Sequence, residues 1–190
     1  CMAYSFITKA PEGEEGIFLD KVNLYLKDKH PTLGIWCEVR EMDSAGGITR
    51  NQVPFSEVWI NSDDLVVSDD GTVPQPIQFK SPIFLYNDTQ YAFVIHTIGL
   101  NPDTYIWIQR LGETNIATGE KVTARPLTGT LYTTNNNLNW DIVPDVDLKI
   151  DFYRCKFQTG IVGQATISNK PFDRLKICNV SAAISSSGEP

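Results

Sequence analysis

Apolar and polar residues alternate with a period of two along most of this chain, and the 3.6-residue period of an amphipathic helix is nearly absent. In KVNLYLKD the alternation puts Val22, Leu24 and Leu26 on one face, with Asn23 and Tyr25 opposite. SEVWIN turns Val58 and Ile60 inward and Glu57 and Trp59 outward. VDLKIDFY sends Val146, Leu148, Ile150 and Phe152 in, and Asp147, Lys149 and Asp151 out. The phase then slips, because the next apolar pair is Cys155 and Phe157. One extra residue near Arg154, of the kind a β-bulge supplies, accounts for the slip. QYAFVIHTIG and TYIWIQRLG are richer in apolar residues, which predicts central strands buried on both faces.

GIWCEVRE breaks the rule in one place. Ile35, Cys37 and Val39 fall on one face, while Trp36 shares the other with Glu38 and Arg40. A tryptophan among charges is either covered by its own chain or meets something outside it.

Turn signals separate the strands: PEGEEG, DSAGG, SDDGT, YNDT, LNPDT and TTNNNLN. Pro54, Pro76, Pro82 and Pro126 are expected at strand beginnings or in loops, where a missing N–H costs least. At least ten strands between Tyr4 and Phe157 are enough for an all-β, antiparallel two-sheet sandwich. Long connections from Asn61 to Gln78 and from Leu111 to Thr130 favour a jelly-roll or Greek-key order over a meander. The sandwich is assigned to 1–157. Residues 158–190 hold two more strand-like runs, QTGIVGQATISN and PFDRLKICNVSAAI. These are either extra strands of the same sheets or an extension that packs on a neighbouring domain or chain.

The net charge of −7, with basic residues scattered, argues against nucleic acid as a partner. No apolar run approaches the ~20 residues that span a bilayer, and none reads as a signal peptide. The chain starts Cys1-Met2, which suggests an excised piece of a larger polypeptide or a scar of cloning. Cys1, Cys37, Cys155 and Cys178 form no CxxC or Cys/His cluster, so reduced thiols and assembly in a reducing compartment are expected.

Catalytic signatures are missing. His30 and His96 stand apart from any metal-ligand spacing, and His96, inside a strand, is expected to be hydrogen-bonded and structural. Glu14-Glu15, Asp63-Asp64 and Asp69-Asp70 are acid pairs in turns and read as solvated surface. SDDLVVSDDG, with Asp63, Asp64, Asp69 and Asp70, is the one segment where calcium is conceivable, though it lacks the alternate-position oxygens of a dedicated loop. No enzyme, cofactor or metal centre is expected. Trp107 and Trp140 are expected to pack. Trp36 and Trp59 are left as interface anchors, sugar-stacking platforms, or rings covered by loops or by the C-terminal extension. The contact candidates are Trp36, Trp59, Arg40, Glu38 and Tyr25.

The ordered series MAYSF, GIFLDKVNLYLKDK, EVREMD, PFSEVWINSDDL, FKSPIFLYNDTQYAFVIHT, YIWIQRLGE, ARPLTGTLYTTNNNLNW and DLKIDFYRCKF covers Ala3 to Phe157. It resembles a β-sandwich module of virion structural proteins in contractile-tailed, T4-like bacteriophages, found in baseplate wedges and tail-fibre attachments. The resemblance implies a jelly roll similar to carbohydrate-binding modules, a place in the virion tail, and other tail or baseplate subunits as partners. It carries over no catalytic residue. The chain departs from the pattern at Trp36 and Trp59, where small polar residues are expected, and in continuing past Phe157. Similarity of fold to sugar-binding sandwiches keeps recognition of a host-surface glycan as the alternative.

Overall fold

The computed structural model describes residues 1–99, 101, 103–115, 118–123 and 129–157; the expected extension at 158–190, with Cys178, lies outside the described residues. In chain order the strands are β1 (Met2–Ile7), β2 (Gly16–Leu24), β3 (Leu26–Asp28), β4 (Ile35–Met42), β5 (Ile48–Gln52), β6 (Val58–Ile60) and β7 (Gln75–Tyr86). They continue with β8 (Gln90–Thr97), β9 (Tyr105–Ile106), β10 (Ile108–Arg110), β11 (Leu131–Thr133), β12 (Asp141–Val143), β13 (Val146–Leu148) and β14 (Ile150–Arg154). The one helical element among the described residues is a 3₁₀ turn at Ser62–Asp64. All the strands belong to a unit spanning Cys1–Lys156. No helix among the described residues is long and apolar enough to cross a membrane.

The strands make two antiparallel layers. One is a seven-stranded sheet of order β12-β11-β1-β8-β4-β5, with β6 pairing the same edge of β4 as β5 does. The other contains β14-β2-β7 and the short pairs β3-β9 and β10-β13. Backbone hydrogen bonds join these pairs into one layer: Trp107 N donates to Tyr25 O at 2.8 Å, and Lys149 N donates to Trp107 O at 3.0 Å. Tyr25, Trp107 and Lys149 each stand between two strands, so the interruptions line up across the layer.

The predicted inward faces meet between the layers. Val22, Leu24 and Leu26 are fully buried, as are Ile35, Cys37 and Val39, and they pack with Tyr4, Phe93, Ile77, Leu85, Leu148 and Ile150. Each such side chain contributes about 1.5–3 kcal/mol by leaving water. The two layers over a shared core are consistent with a β-sandwich. Burial pushes the Cys37 thiol pKa well up, so it behaves as a small hydrophobe. Cys1, Cys37 and Cys155 are free thiols.

Three details refine the strand map. The register shift expected near Arg154 falls between Tyr153 and Arg154 in the β14–β2 pair. Pro54 lies in a turn and Pro76 at the beginning of β7, as expected, and Pro126 lies outside the described residues, but Pro82 lies inside β7. That is tolerated because β7 pairs only with β2, and because the ladder slips between Lys21↔Gln78 and Leu19↔Ile83, leaving Pro82 in the unpaired stretch. TYIWIQRLG is not a continuous strand buried on both faces. It breaks at Trp107 into β9 and β10, and Tyr105 and Ile108 are exposed. Its apolar run reflects a kinked strand with one wet face, which periodicity cannot distinguish from a central strand.

Leu24 sits at the middle of the core and Ile142 on an exposed edge strand. In urea denaturation Leu24→Ala should cost about 2–5 kcal/mol, while Ile142→Thr should stay within roughly 0.5 kcal/mol of the parent.

Candidate functional site

Directly paired residues of neighbouring strands project their side chains on the same face. The register places Trp36 of β4 opposite His96 of β8 on one side and opposite Trp59 of β6 on the other. The result is a ladder of rings across the outer face of the seven-stranded sheet. His96 and Trp36 stack with centroids 3.7 Å apart and planes 7° apart; Trp36 and Trp59 follow at 5.3 Å and 12°. Trp59 ends the ladder at 60% exposure, its indole N–H donating to the Glu57 carboxylate. Gly34 permits this approach, since a Cβ there would come within 2.1 Å of Ile60 O.

Beside the ladder lies a buried charge cluster. Glu38 and Arg40 are 3% and 7% exposed, although they face away from the core between the layers. Glu38 Oε1 accepts from Arg40 Nε at 2.6 Å and from His96 Nε2 at 2.9 Å, which places a proton on that imidazole nitrogen. Arg40 also donates to Asn137 Oδ1 at 3.0 Å. Burial alone would raise the Glu38 pKa. The His96 hydrogen bond and the Arg40 charge outweigh it and hold the carboxyl below the usual glutamate range.

The Asn-rich turn reaches Arg40, and a small apolar cluster lies beside the charges, since Val94 pairs with Glu38 and Ala92 with Arg40. Trp140 packs on Ala3, Ala92, Val94 and Tyr132, and the Tyr132 hydroxyl donates to Gly46 O at 3.3 Å. The Asn-rich turn is shaped by its own side chains: Thr134 Oγ1 accepts from Asn137 N at 3.0 Å, and Asn136 Oδ1 from Asn139 N at 2.9 Å. Asn137 then holds a left-handed backbone at φ 59° and points its amide at Arg40.

Of the five contact candidates, the structure brings Trp36, Trp59, Glu38 and Arg40 together and leaves only Trp59 standing out into solvent. Glu38 and Arg40 are spent on each other and on His96. Tyr25 lies in the other layer. Its hydroxyl donates to Asp151 Oδ2 at 2.6 Å, which with partial burial pushes the phenol up to about 12, and Lys149 Nζ sits 4.5 Å from the ring centroid. Trp107 and Trp140 are partly buried, as expected of packing residues. The four aspartates of SDDLVVSDDG are divided between the Ser62–Asp64 turn and a second turn after Ser68, and no group of three or more His, Cys, Asp or Glu among the described residues could hold a metal ion.

Two participants were not singled out from the sequence. His96 is hydrogen-bonded inside its strand, as expected of a structural histidine, and the register adds that it bridges the ring ladder and the charge cluster. Phe55, in the loop between β5 and β6, is 80% exposed at φ 63°. A bulky residue in that region costs of order 1–3 kcal/mol and persists only when its surroundings impose it. Here Ser56 does so: its hydroxyl accepts from Val39 N at 3.0 Å and donates to Val53 O at 2.7 Å, pinning the loop to β4.

Glu38→Ala strands a buried guanidinium and should cost about 3–5 kcal/mol. Because the folded-state pKa of Glu38 is depressed, its contribution is complete above the unfolded-state value of about 4.3 and fades as pH falls below it. Urea titrations from neutral pH into the acid range should therefore show the stability gap between the parent and Glu38→Gln narrowing as acid is added. Gly34→Ala should cost roughly 2 kcal/mol or more by forcing β6 off β4, and should shift Trp59 fluorescence toward a solvated indole. Compared with known proteins, the chain matches no family model, no curated protein and no solved structure.

Proposed function

We propose that this chain is a structural module that docks neighbouring protein subunits, acting by position and not by catalysis. The observation that carries this reading is the ring ladder ending in the exposed indole of Trp59. Interface energy concentrates in a few rigid aromatic anchors, and tryptophan is the residue most enriched among them. Trp59 is held before any partner arrives, because Trp36 and His96 stack behind it and Glu38 and Arg40 lock His96. Such preorganisation removes part of the entropic cost of association. Phe55, exposed on the loop that leads into β6, is a second anchor on the same edge of the sheet.

The ladder's geometry favours protein over glycan at this face. A sugar platform from two tryptophans presents both ring faces side by side. Here the faces of Trp36 are occupied by His96 and Trp59, so one indole alone is offered. The nearby polar groups, Glu38 and Arg40, are buried and paired, and are not available to hydroxyl groups.

The place of action follows from the motif series resembling T4-like baseplate and tail-fibre modules. On that reading the protein works in a contractile phage tail, and its plan is a jelly-roll or Greek-key sandwich similar to carbohydrate-binding modules. The sheet order supports this plan, since β1 lies between β8 and β11, and β4 beside β8, none of them sequence neighbours. A single anchor of this kind gives modest affinity alone and becomes effective when linked contacts raise the local concentration.

Purified tails analysed by cross-linking and mass spectrometry should contain this polypeptide, with cross-links from the Phe55–Trp59 edge to another subunit. Trp59→Ala should weaken that contact by about 2 kcal/mol or more while leaving the thermal midpoint near that of the parent. Absence from purified tails would overturn the assignment to the tail. Normal incorporation of a folded Trp59→Ala/Phe55→Ala double variant would overturn the docking face.

A further inference from the structure

The ring ladder runs in the direction in which the strands are paired. Trp36 and Trp59 are register partners on β4 and β6, and their centroid spacing of 5.3 Å is close to the roughly 4.8 Å between neighbouring strands. Rings this nearly parallel stack from strand to strand, so the face of Trp59 turned away from Trp36 looks out past β6. That strand pairs with β4 alone, and no other ring or cation among the described residues lies on Trp59. With Trp59 60% exposed, the ladder ends on an open indole face.

Charge decides what can cover that face. The indole N–H of Trp59 is bonded to the Glu57 carboxylate, so a group that covers the ring also takes water from the carboxylate. Glu57 is exposed and makes no ion pair among the described residues. Between Arg50 and Lys80 every charged residue is acidic: Glu57, Asp63, Asp64, Asp69 and Asp70. Asp63 and Asp64 stand exposed in the turn that follows β6. Lys29 reaches this turn, but its Nζ is held by Ser62 O and Leu65 O, both at 2.7 Å. Arg50 is on β5, which pairs β4 at Arg40–Met42, beyond the Ile35–Cys37 stretch that holds β6.

Occupants of the face differ in what they do to Glu57. An aromatic or aliphatic side chain would cover the ring and strip water from the carboxylate without compensation. A second copy of this chain, itself carrying a net −7, would set the same acids against each other. A cation satisfies both groups, because the ring quadrupole attracts it and the carboxylate at the rim neutralises it. The N–H bond to an anion adds electron density to the indole and strengthens that attraction. Arginine fits better than lysine, since its flat, weakly hydrated guanidinium stacks on a ring while its N–H groups reach a carboxylate alongside.

We propose that the partner of the docking face presents an arginine, whose guanidinium stacks on the free face of Trp59 as the next rung of the ladder and pairs with Glu57. This rests on the docking reading above and adds the chemistry of the partner.

A short peptide carrying the anchor tests it. The isotopically labelled 190-residue chain is titrated with the N-acetylated, C-amidated peptide Gly-Leu-Arg-Leu-Gly, and with versions whose arginine is replaced by lysine, citrulline or glutamate, and NMR follows the amide and indole N–H signals. The arginine peptide should saturate in the millimolar range, with shifts centred on residues 57–60. Citrulline, flat like arginine but uncharged, should bind about fivefold more weakly, lysine should fall between them, and glutamate should not bind. Glu57→Gln keeps an acceptor for the indole N–H and removes only the charge, so it should weaken the arginine peptide about fivefold. Failure of the arginine peptide to saturate overturns the proposal, as does citrulline binding equally well or unchanged affinity in folded Glu57→Gln. So does a dimer of the parent in sedimentation that Trp59→Ala dissolves, since a second copy would then hold the face. None of these results removes the docking face itself, which falls only if tails incorporate the Trp59→Ala/Phe55→Ala variant normally, whatever the peptides do.

Discussion

One ionised carboxylate organises the outer face of the seven-stranded sheet. Glu38 is buried where a solvated side chain would ordinarily lie, and a lone buried charge of that kind would carry a penalty of several kcal/mol. Arg40 and His96 offset it with hydrogen bonds, and the Asn137 amide completes the guanidinium. Everything else on this face follows from meeting that requirement. His96 must be held with one nitrogen toward Glu38, which sets its plane; Trp36 stacks on that plane, and Trp59 on Trp36. The exposed indole at the sheet edge is thus the far end of a chain of constraints that starts at a charge.

The same face shows how a sandwich can bury polar groups outside its main core. Ala3, Ser5 and Ala92 keep the central strands low, and the Asn-rich turn and Trp140 lie close over them. The turn takes its shape from side chains bonded to its own backbone, the usual role of Asn and Thr in turns. A small second apolar cluster lies beside the buried ion pair, with Ala92 and Val94 paired to Arg40 and Glu38. Strength of pairing rises with burial, and so does the cost of losing either partner.

The two layers also differ in regularity. The seven-stranded sheet has a continuous ladder and offers a rigid face. In the other layer the breaks at Tyr25, Trp107 and Lys149 fall side by side, and the kink opens a recess lined by groups of both charges. Tryptophan is placed in opposite senses in the two layers. Trp59 projects from a stack, whereas Trp107 is set into the layer with its N–H already bonded.

Much of the architecture was legible in the alternation of residues. The inward faces Val22-Leu24-Leu26, Ile35-Cys37-Val39 and Val146-Leu148-Ile150 and the bulge near Arg154 all follow from a period of two and its slip after Phe152. Local rules sufficed because each strand must turn its apolar side to the same core. The errors came where two different environments write the same local text. An apolar run such as TYIWIQRLG is equally compatible with a central strand and a kinked one, and a proline can sit inside an edge strand once a bulge releases its ladder.

The candidate sites depended on register, which alternation does not encode. The sequence by itself determined which residues point outward, and so placed Trp36, Glu38 and Arg40 on one side of β4 and Trp59 on the same side of β6. Only the tertiary structure decided that His96 stands between the charges and the rings, that the Asn-rich turn, distant in sequence, reaches Arg40, and that Tyr25 belongs to the other layer. Those outcomes depend on contacts between residues far apart in the chain, 97 positions for Arg40 with Asn137 and 126 for Tyr25 with Asp151. Such contacts are selected by the packing of whole sheets, not by the preferences of any one strand.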